Sequence, residues 1–169
     1  MDRPSHLILA ALALVSTPAL AADRTQLAGR WFEEVSKDAM TDAPETTVYV
    51  EAGNDARLMF HCSAGKPMRM NAAFVTREYL GSSTSSPRGA MFRVDGAEAV
   101  DNNDWIYGDH FAAPLYLKQF TSAVIGGSKL VARLYTYRGQ TIDVAFDITG
   151  STDAISRVYD ACAEKLPKR

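Results

Sequence analysis

Cysteine is nearly missing from this chain: among 169 residues only Cys62 and Cys162 carry sulfur as a thiol. With two, any zinc site competes with a disulfide for the same ligands, and an exported chain resolves that competition towards the disulfide. Histidine is almost as scarce, with only His61 and His110 beyond the first few residues. No G-x-S-x-G, no H-E-x-x-H and no glycine-rich phosphate loop after a strand occurs, so no familiar catalytic constellation can be assembled from the sequence. A charge excess is lacking too. The formal net charge is −2, and only Lys165, Lys168 and Arg169 form a locally basic turn, which excludes the basic stripe that a nucleic-acid partner requires.

Long apolar runs are confined to the N-terminus. "MDRPSHLILAALALVSTPALAAD" places Arg3 before an apolar run from Leu7 to Val15, then Pro18 and the small-x-small triplet Ala19-Leu20-Ala21. That order predicts an export signal cut after Ala21, with residues 1–21 removed and 22–169 forming a single globular domain in the periplasm. The run is too short to span a bilayer, and no later stretch is long enough. No cysteine lies just after the cut, so no lipid anchor is expected there.

What is present is mostly strand. "TTVYVEA" (46–52) and "ARLMFHC" (56–62) alternate around the turn "GND", with Val48 and Val50 opposite Tyr49, and Cys62 opposite His61. A face opposite Cys62 takes His61 out of reach of a Cys–His dyad. "GRWFEEVS" (29–36) is a short apolar-aromatic segment, and "MRMNAAFVTREYL" (68–80) reads as a longer strand. "GSSTSSPRG" (81–89) has nothing to bury and predicts a mobile surface loop. In "AMFRVDGAEAV" (90–100) Asp95-Gly96 suits a two-residue hairpin turn. "PLYLKQFTSAV" (114–124) predicts a short helix starting on Pro114, with Leu117, Phe120 and Val124 inward. "KLVARLYTY" and "TIDVAFDI" predict an antiparallel hairpin with one apolar face. "GSTDAISRVYDACAEKLPK" predicts a final helix with Ser151 as N-cap and Ile155, Val158, Tyr159, Cys162 and Leu166 inward. A sheet cysteine and an inward helix cysteine then fit one bridge, Cys62–Cys162. The fold class expected is α+β: an antiparallel sheet or sandwich of about six or seven strands, one short helix and a C-terminal helix pinned by that disulfide.

Trp31, "SKDAMTD" (36–42), "LMFHC" (58–62), "FRVDG" (92–96), Trp105, "LVARLYTY" (130–137) and "AFDITGSTDAISRVYDAC" (145–162) occur in this order. The set resembles the VasI/TagO-like family of exported proteins associated with type VI secretion systems of Gram-negative bacteria. The chain departs from that pattern at the inserted "GSSTSSPRG" and in "DNNDWIYGDH", which matches only at its tryptophan. The resemblance implies a periplasmic accessory protein and supplies no catalytic residues.

The remaining candidates each have two readings. Trp105, Tyr107, His110 and Phe111 form either a partner-binding surface or, the preferred reading, an aromatic end to the core closed by Trp105 and Phe111. Arg93 and Asp95 either receive a ligand or pair across the hairpin. Asp101, Asn102, Asn103, Asp104 and Asp109 offer oxygen ligands, but consecutive residues cannot converge on one calcium ion, so a solvated turn is expected. Met59, Met68, Met70 and Met91 read as core filler. Neither metal nor cofactor is expected. The function expected is non-catalytic binding of a protein in the cell envelope, with a secretion-system role implied by the resemblance. The alternative is an exported inhibitor or immunity-type protein that blocks a cell-wall hydrolase or toxin.

Overall fold

The computed structural model describes residues 23–82 and 88–169. The predicted export signal and the centre of the serine-rich loop, residues 83–87, lie outside the described residues. Ten strands form one antiparallel sheet: β1 (Asp23–Gln26), β2 (Trp31–Lys37), β3 (Pro44–Ala52), β4 (Ala56–Ser63), β5 (Arg69–Val75), β6 (Arg88–Val94), β7 (Val100–Tyr107), β8 (Phe111–Pro114), β9 (Lys129–Tyr135) and β10 (Thr141–Asp147). Two helices complete it, α1 (Leu117–Val124) and α2 (Ser151–Ala161).

The sheet order is β1-β2-β3-β4-β5-β8-β7-β6-β9-β10. The first five strands form a meander; the next three return in reverse, so β8 pairs with β5 and β6 lies beside the β9–β10 hairpin. Phe74 of β5 stacks on Phe146 of β10 with ring centroids 5.8 Å apart. Five strand spacings separate β5 from β10, about 24 Å in a flat sheet. The sheet must therefore curl over and face itself. α1 carries the chain from β8 to β9 and drops Phe120 into the enclosed space. There Phe120 meets Phe60, Phe74, Phe92 and Trp105, its ring within 5.2–6.0 Å of each.

Six or seven strands undercounts this sheet. β1 is exposed along its length, β8 has four residues, and β7 buries only Trp105 and Tyr107 fully while its "DNND" half faces solvent. None of the three shows the clean alternation that marks a strand in sequence. The run Asp101–Asp104 is accordingly a strand segment rather than a turn, and among the described residues no group of three or more His, Cys, Asp or Glu could hold a metal ion. Pro114 closes β8 instead of opening α1, which begins three residues later. Arg88 and Gly89 belong to β6 rather than to the loop, and Met68 is exposed rather than core filler.

The disulfide joins Cys62 of β4 to Cys162 at the end of α2, both buried. α2 packs on β2, β3 and β4 through Ala154, Ile155, Val158 and Tyr159. Ser151 is not its N-cap. Gly150 takes that position in a left-handed conformation (φ 86°), and the buried Ser151 hydroxyl donates to the carbonyl of Val124 at the end of α1. Tyr159 donates to Thr121 Oγ1 of α1, so the two helices are hydrogen-bonded inside the core. Among the described residues no helix is long and apolar enough to cross a membrane.

The outer face of β1–β4 carries a stack of cations and rings. The Arg24 guanidinium lies 4.0 Å from the Phe32 ring centroid, Arg57 lies 4.9 Å from that of Tyr49, and the two rings stack at 5.6 Å. Beneath this cover Tyr49 is only 2% exposed and donates to Glu34 Oε1 at 2.8 Å. Burial, and then the bond to the Glu34 carboxylate, push its pKa up to about 12. The unfolded chain loses that proton near pH 10, so it holds fewer protons than the native state above that pH. Stability from this group is complete below pH 10 and is lost between about 10 and 12, by roughly 2–3 kcal/mol. Denaturation midpoints measured across that range should fall for the wild type and fall less for Tyr49→Phe.

Candidate functional site

Most large rings of this protein are inside it, including Trp31, Trp105, Tyr107, Tyr159, Phe60, Phe74 and Phe146. Phe111 and Tyr116 are exposed without a ring partner among the described residues, whereas Tyr79 and Tyr137, with 47% and 54% of their surfaces in solvent, are paired. The two tyrosines meet edge to face at 5.1 Å, His110 adds its ring to Tyr79 at 6.1 Å, and the Arg138 guanidinium lies 5.1 Å from the Tyr137 centroid. A contiguous exposed group of rings with an arginine has the composition of a protein interface.

Local chemistry holds this rim rigid. Residues 76–80 are laced to the β7–β8 turn: Thr76 N–H donates to the His110 carbonyl, Leu80 N–H to the Asp109 carbonyl, and the His110 Nδ1–H to the Glu78 carbonyl. Gly81 is left-handed (φ 80°), and a β-carbon there would stand 2.6 Å from Tyr137 Cβ, so only glycine permits the close approach of the two segments. Arg88 closes the arrangement from below. Its Nη1 donates to the carbonyls of Leu80 (3.0 Å) and Gly81 (3.1 Å), and its Nη2 to those of Tyr135 (3.0 Å) and Thr136 (3.1 Å). The same guanidinium lies 4.3 Å from the Tyr107 ring, whose hydroxyl donates to the Gly89 carbonyl. Burial of Tyr107 raises its pKa. One cation thus fixes the chain beside Tyr79 and beside Tyr137.

The fold separates the residues singled out in sequence. Trp105 is 1% exposed, its indole N–H donating to Asn102 Oδ1, and Tyr107 is wholly buried, so neither presents a ring to a partner. Phe111 does not close the core: it is 40% exposed and lies flat over Gly108, where no β-carbon would fit. Arg93 and Asp95 do not pair. Asp95 accepts the backbone N–H groups of Lys129 and Ser128, bonds that lower its pKa, and has Arg169 at 3.7 Å. The Arg93 side chain is exposed beside Met91, Val131 and Arg133 and makes no hydrogen bond or ion pair with a described residue. His61 faces away from Cys62 and bonds Thr47 Oγ1 at 2.8 Å. Of Arg93, Asp95, Trp105, Tyr107 and His110, only His110 stands in the exposed rim. Tyr79, Tyr137 and Arg138 were missed in sequence because they are single aromatics and a turn arginine in unrelated segments, brought together only by the fold.

A cleft of about 730 Å³ opens next to the rim, between β10 and residues 76–78. Asp55, Arg77, Glu78, Gln140, Thr141 and Asp143 are among the residues that line it.

Fold and surface together define a disulfide-linked, curled antiparallel β protein with a rigid aromatic rim. The chain matches no family model, no curated protein and no solved structure.

Proposed function

We propose that this protein is a non-catalytic binding protein of the cell envelope, which docks a protein partner on the rim of Tyr79, Tyr137, His110 and Arg138. The supporting observation is the clustering of exposed rings: Tyr79 and Tyr137 meet edge to face at the surface with His110 and Arg138 beside them, on backbone fixed by Arg88. A preorganised surface loses little entropy on docking. The buried disulfide fits an oxidising compartment, and the predicted signal would deliver the chain to the periplasm. Resemblance to the VasI/TagO-like pattern makes a component of a type VI secretion system the partner to look for.

The test is affinity capture from cells after cross-linking, with tagged wild-type protein and the variant Tyr79→Ser/Tyr137→Ser. A specific envelope partner should be captured by the wild type, and the variant should bind it roughly thirtyfold more weakly, the loss expected for one interface hot spot of about 2 kcal/mol. The variant should remain folded, since both side chains are half in solvent. Equal capture by the two proteins would remove the rim from the interface. A wall hydrolase or toxin as the captured partner would turn the reading towards an inhibitor.

A further inference from the structure

β10 is the last strand of the sheet, and its outer edge lines the cleft beside the rim. Thr136 N–H donates to the Gln140 carbonyl at one end of the β9–β10 hairpin, and Ile148 N–H to the Ser128 carbonyl at the other. Hydrogen-bonded pairs alternate along an antiparallel ladder, so these two ends fix which residues of β10 bond to β9. Ile142, opposite Leu134, Val144, opposite Ala132, and Phe146, opposite Leu130, share that phase. The N–H and C=O groups of Thr141, Asp143 and Ala145 therefore point away from β9. They make no hydrogen bond with any described residue.

Such an edge is a template for another strand. Thr141 and Asp143 lie in the cleft wall, and the neighbouring Glu78 and Thr136 lead directly to Tyr79 and Tyr137. The edge and the aromatic rim are thus one continuous surface. Its charge is also defined. Asp55, Glu78 and Asp143 line the cleft against a single arginine, Arg77. Arg77 pairs with Asp55 at 3.0 Å, Arg133 holds Asp143, and the Glu78 carboxylate has no hydrogen bond or ion pair with a described residue. With both pairs formed, Glu78 is the one unpaired charge lining the cleft, and it favours a cationic occupant over an acidic one.

Taking the rim as the docking surface, we infer that the cleft receives an extended basic segment of the partner protein, which adds to β10 as an eleventh strand. Main-chain bonds to Thr141, Asp143 and Ala145 hold it, a lysine or arginine side chain meets the Glu78 carboxylate, and its end reaches Tyr137 and Tyr79. From Thr141 to Ala145 the edge extends about 13 Å, so the added strand has about five residues.

The test uses amide hydrogen exchange, read residue by residue by NMR, on the intact disulfide-bonded protein. The probes are a seven-residue peptide of alternating lysine and valine, its glutamate–valine counterpart, and the lysine peptide N-methylated at alternate residues. Near saturation the lysine peptide should slow exchange at Thr141, Asp143 and Ala145 roughly tenfold, and the other two should not. Absence of protection by the lysine peptide, equal protection by the glutamate or N-methylated peptide, or protection without peptide that grows with protein concentration would each overturn the inference. The last result would mean that a second copy occupies the edge. Loss of partner capture in Tyr79→Ser/Tyr137→Ser without β10 protection would leave the rim assignment standing and remove this one; the opposite pair of results would remove the rim.

Discussion

Replacing both cysteines by alanine is expected to lower stability by about 4–5 kcal/mol, the chain-entropy value for a bridge closing about a hundred residues. The bridge here has a sequence separation of 100 and joins a central strand to the terminal helix. A loss of that size is a third or more of the stability of an ordinary domain. The native fold should nevertheless persist in the variant. α2 is held independently by Ala154, Ile155, Val158 and Tyr159 in the core, by the Tyr159–Thr121 bond and by the Ser151–Val124 bond. Two denaturant observables separate the causes. If the bridge acts by restricting the unfolded chain, its removal lowers the midpoint and raises the slope, because the unlinked chain exposes more surface. If it acts by holding α2 in place, the slope changes little and amide protection is lost first in α2. An unchanged midpoint would show that the fold is maintained by packing alone.

The disulfide was legible in sequence for reasons that also explain what was not. Two cysteines behind a predicted export signal leave one simple pairing, and period-two and period-3.6 patterns aim both inward. The β3–β4 and β9–β10 hairpins were legible for the same reason: each has one buried face, so Val48 and Val50, or Leu130, Ala132 and Leu134, announce it. β1, β7 and β8 were not, because exposure along β1 and the polar half of β7 erases the alternation, and the pairing partners of β8 fix it as a strand. Ser151 misled in a different way. A serine before a helix usually caps it, but here the left-handed Gly150 makes the entry and frees the hydroxyl to reach Val124. Trp105, Tyr107 and Phe111 show why composition cannot locate a binding surface. They occupy one short aromatic stretch, yet two are buried and one is exposed. The rim, by contrast, draws on residues near 79, 110 and 137, and their encounter depends on how the reversed β8-β7-β6 order brings the β5 exit and the β9–β10 turn together.

Arg88→Lys is expected to destabilise the protein by about 2 kcal/mol and Arg88→Ala by about 3–4 kcal/mol. The period-two pattern of Ala90, Phe92 and Val94, continued back through Gly89, places Arg88 on the core side of β6. Its guanidinium answers four carbonyls in two pairs and stacks on Tyr107. A lysine ammonium retains the charge but not the planar fork, so it can serve one pair of carbonyls and leaves the other without a donor. Alanine leaves both pairs unserved and also loses the ring contact. The acceptors are carbonyls rather than carboxylates, so the loss should be nearly independent of pH between 5 and 9, unlike that of an ion pair. Chemical denaturation of the three proteins at several pH values measures this. Partner capture adds a second readout: Arg88→Lys should weaken it although Arg88 lies beneath the rim, because the backbone beside both Tyr79 and Tyr137 is released. Wild-type stability in Arg88→Lys would mean that the four carbonyls are satisfied without the fork, and that the tyrosines are positioned by the Gly81 contact and the His110 turn alone.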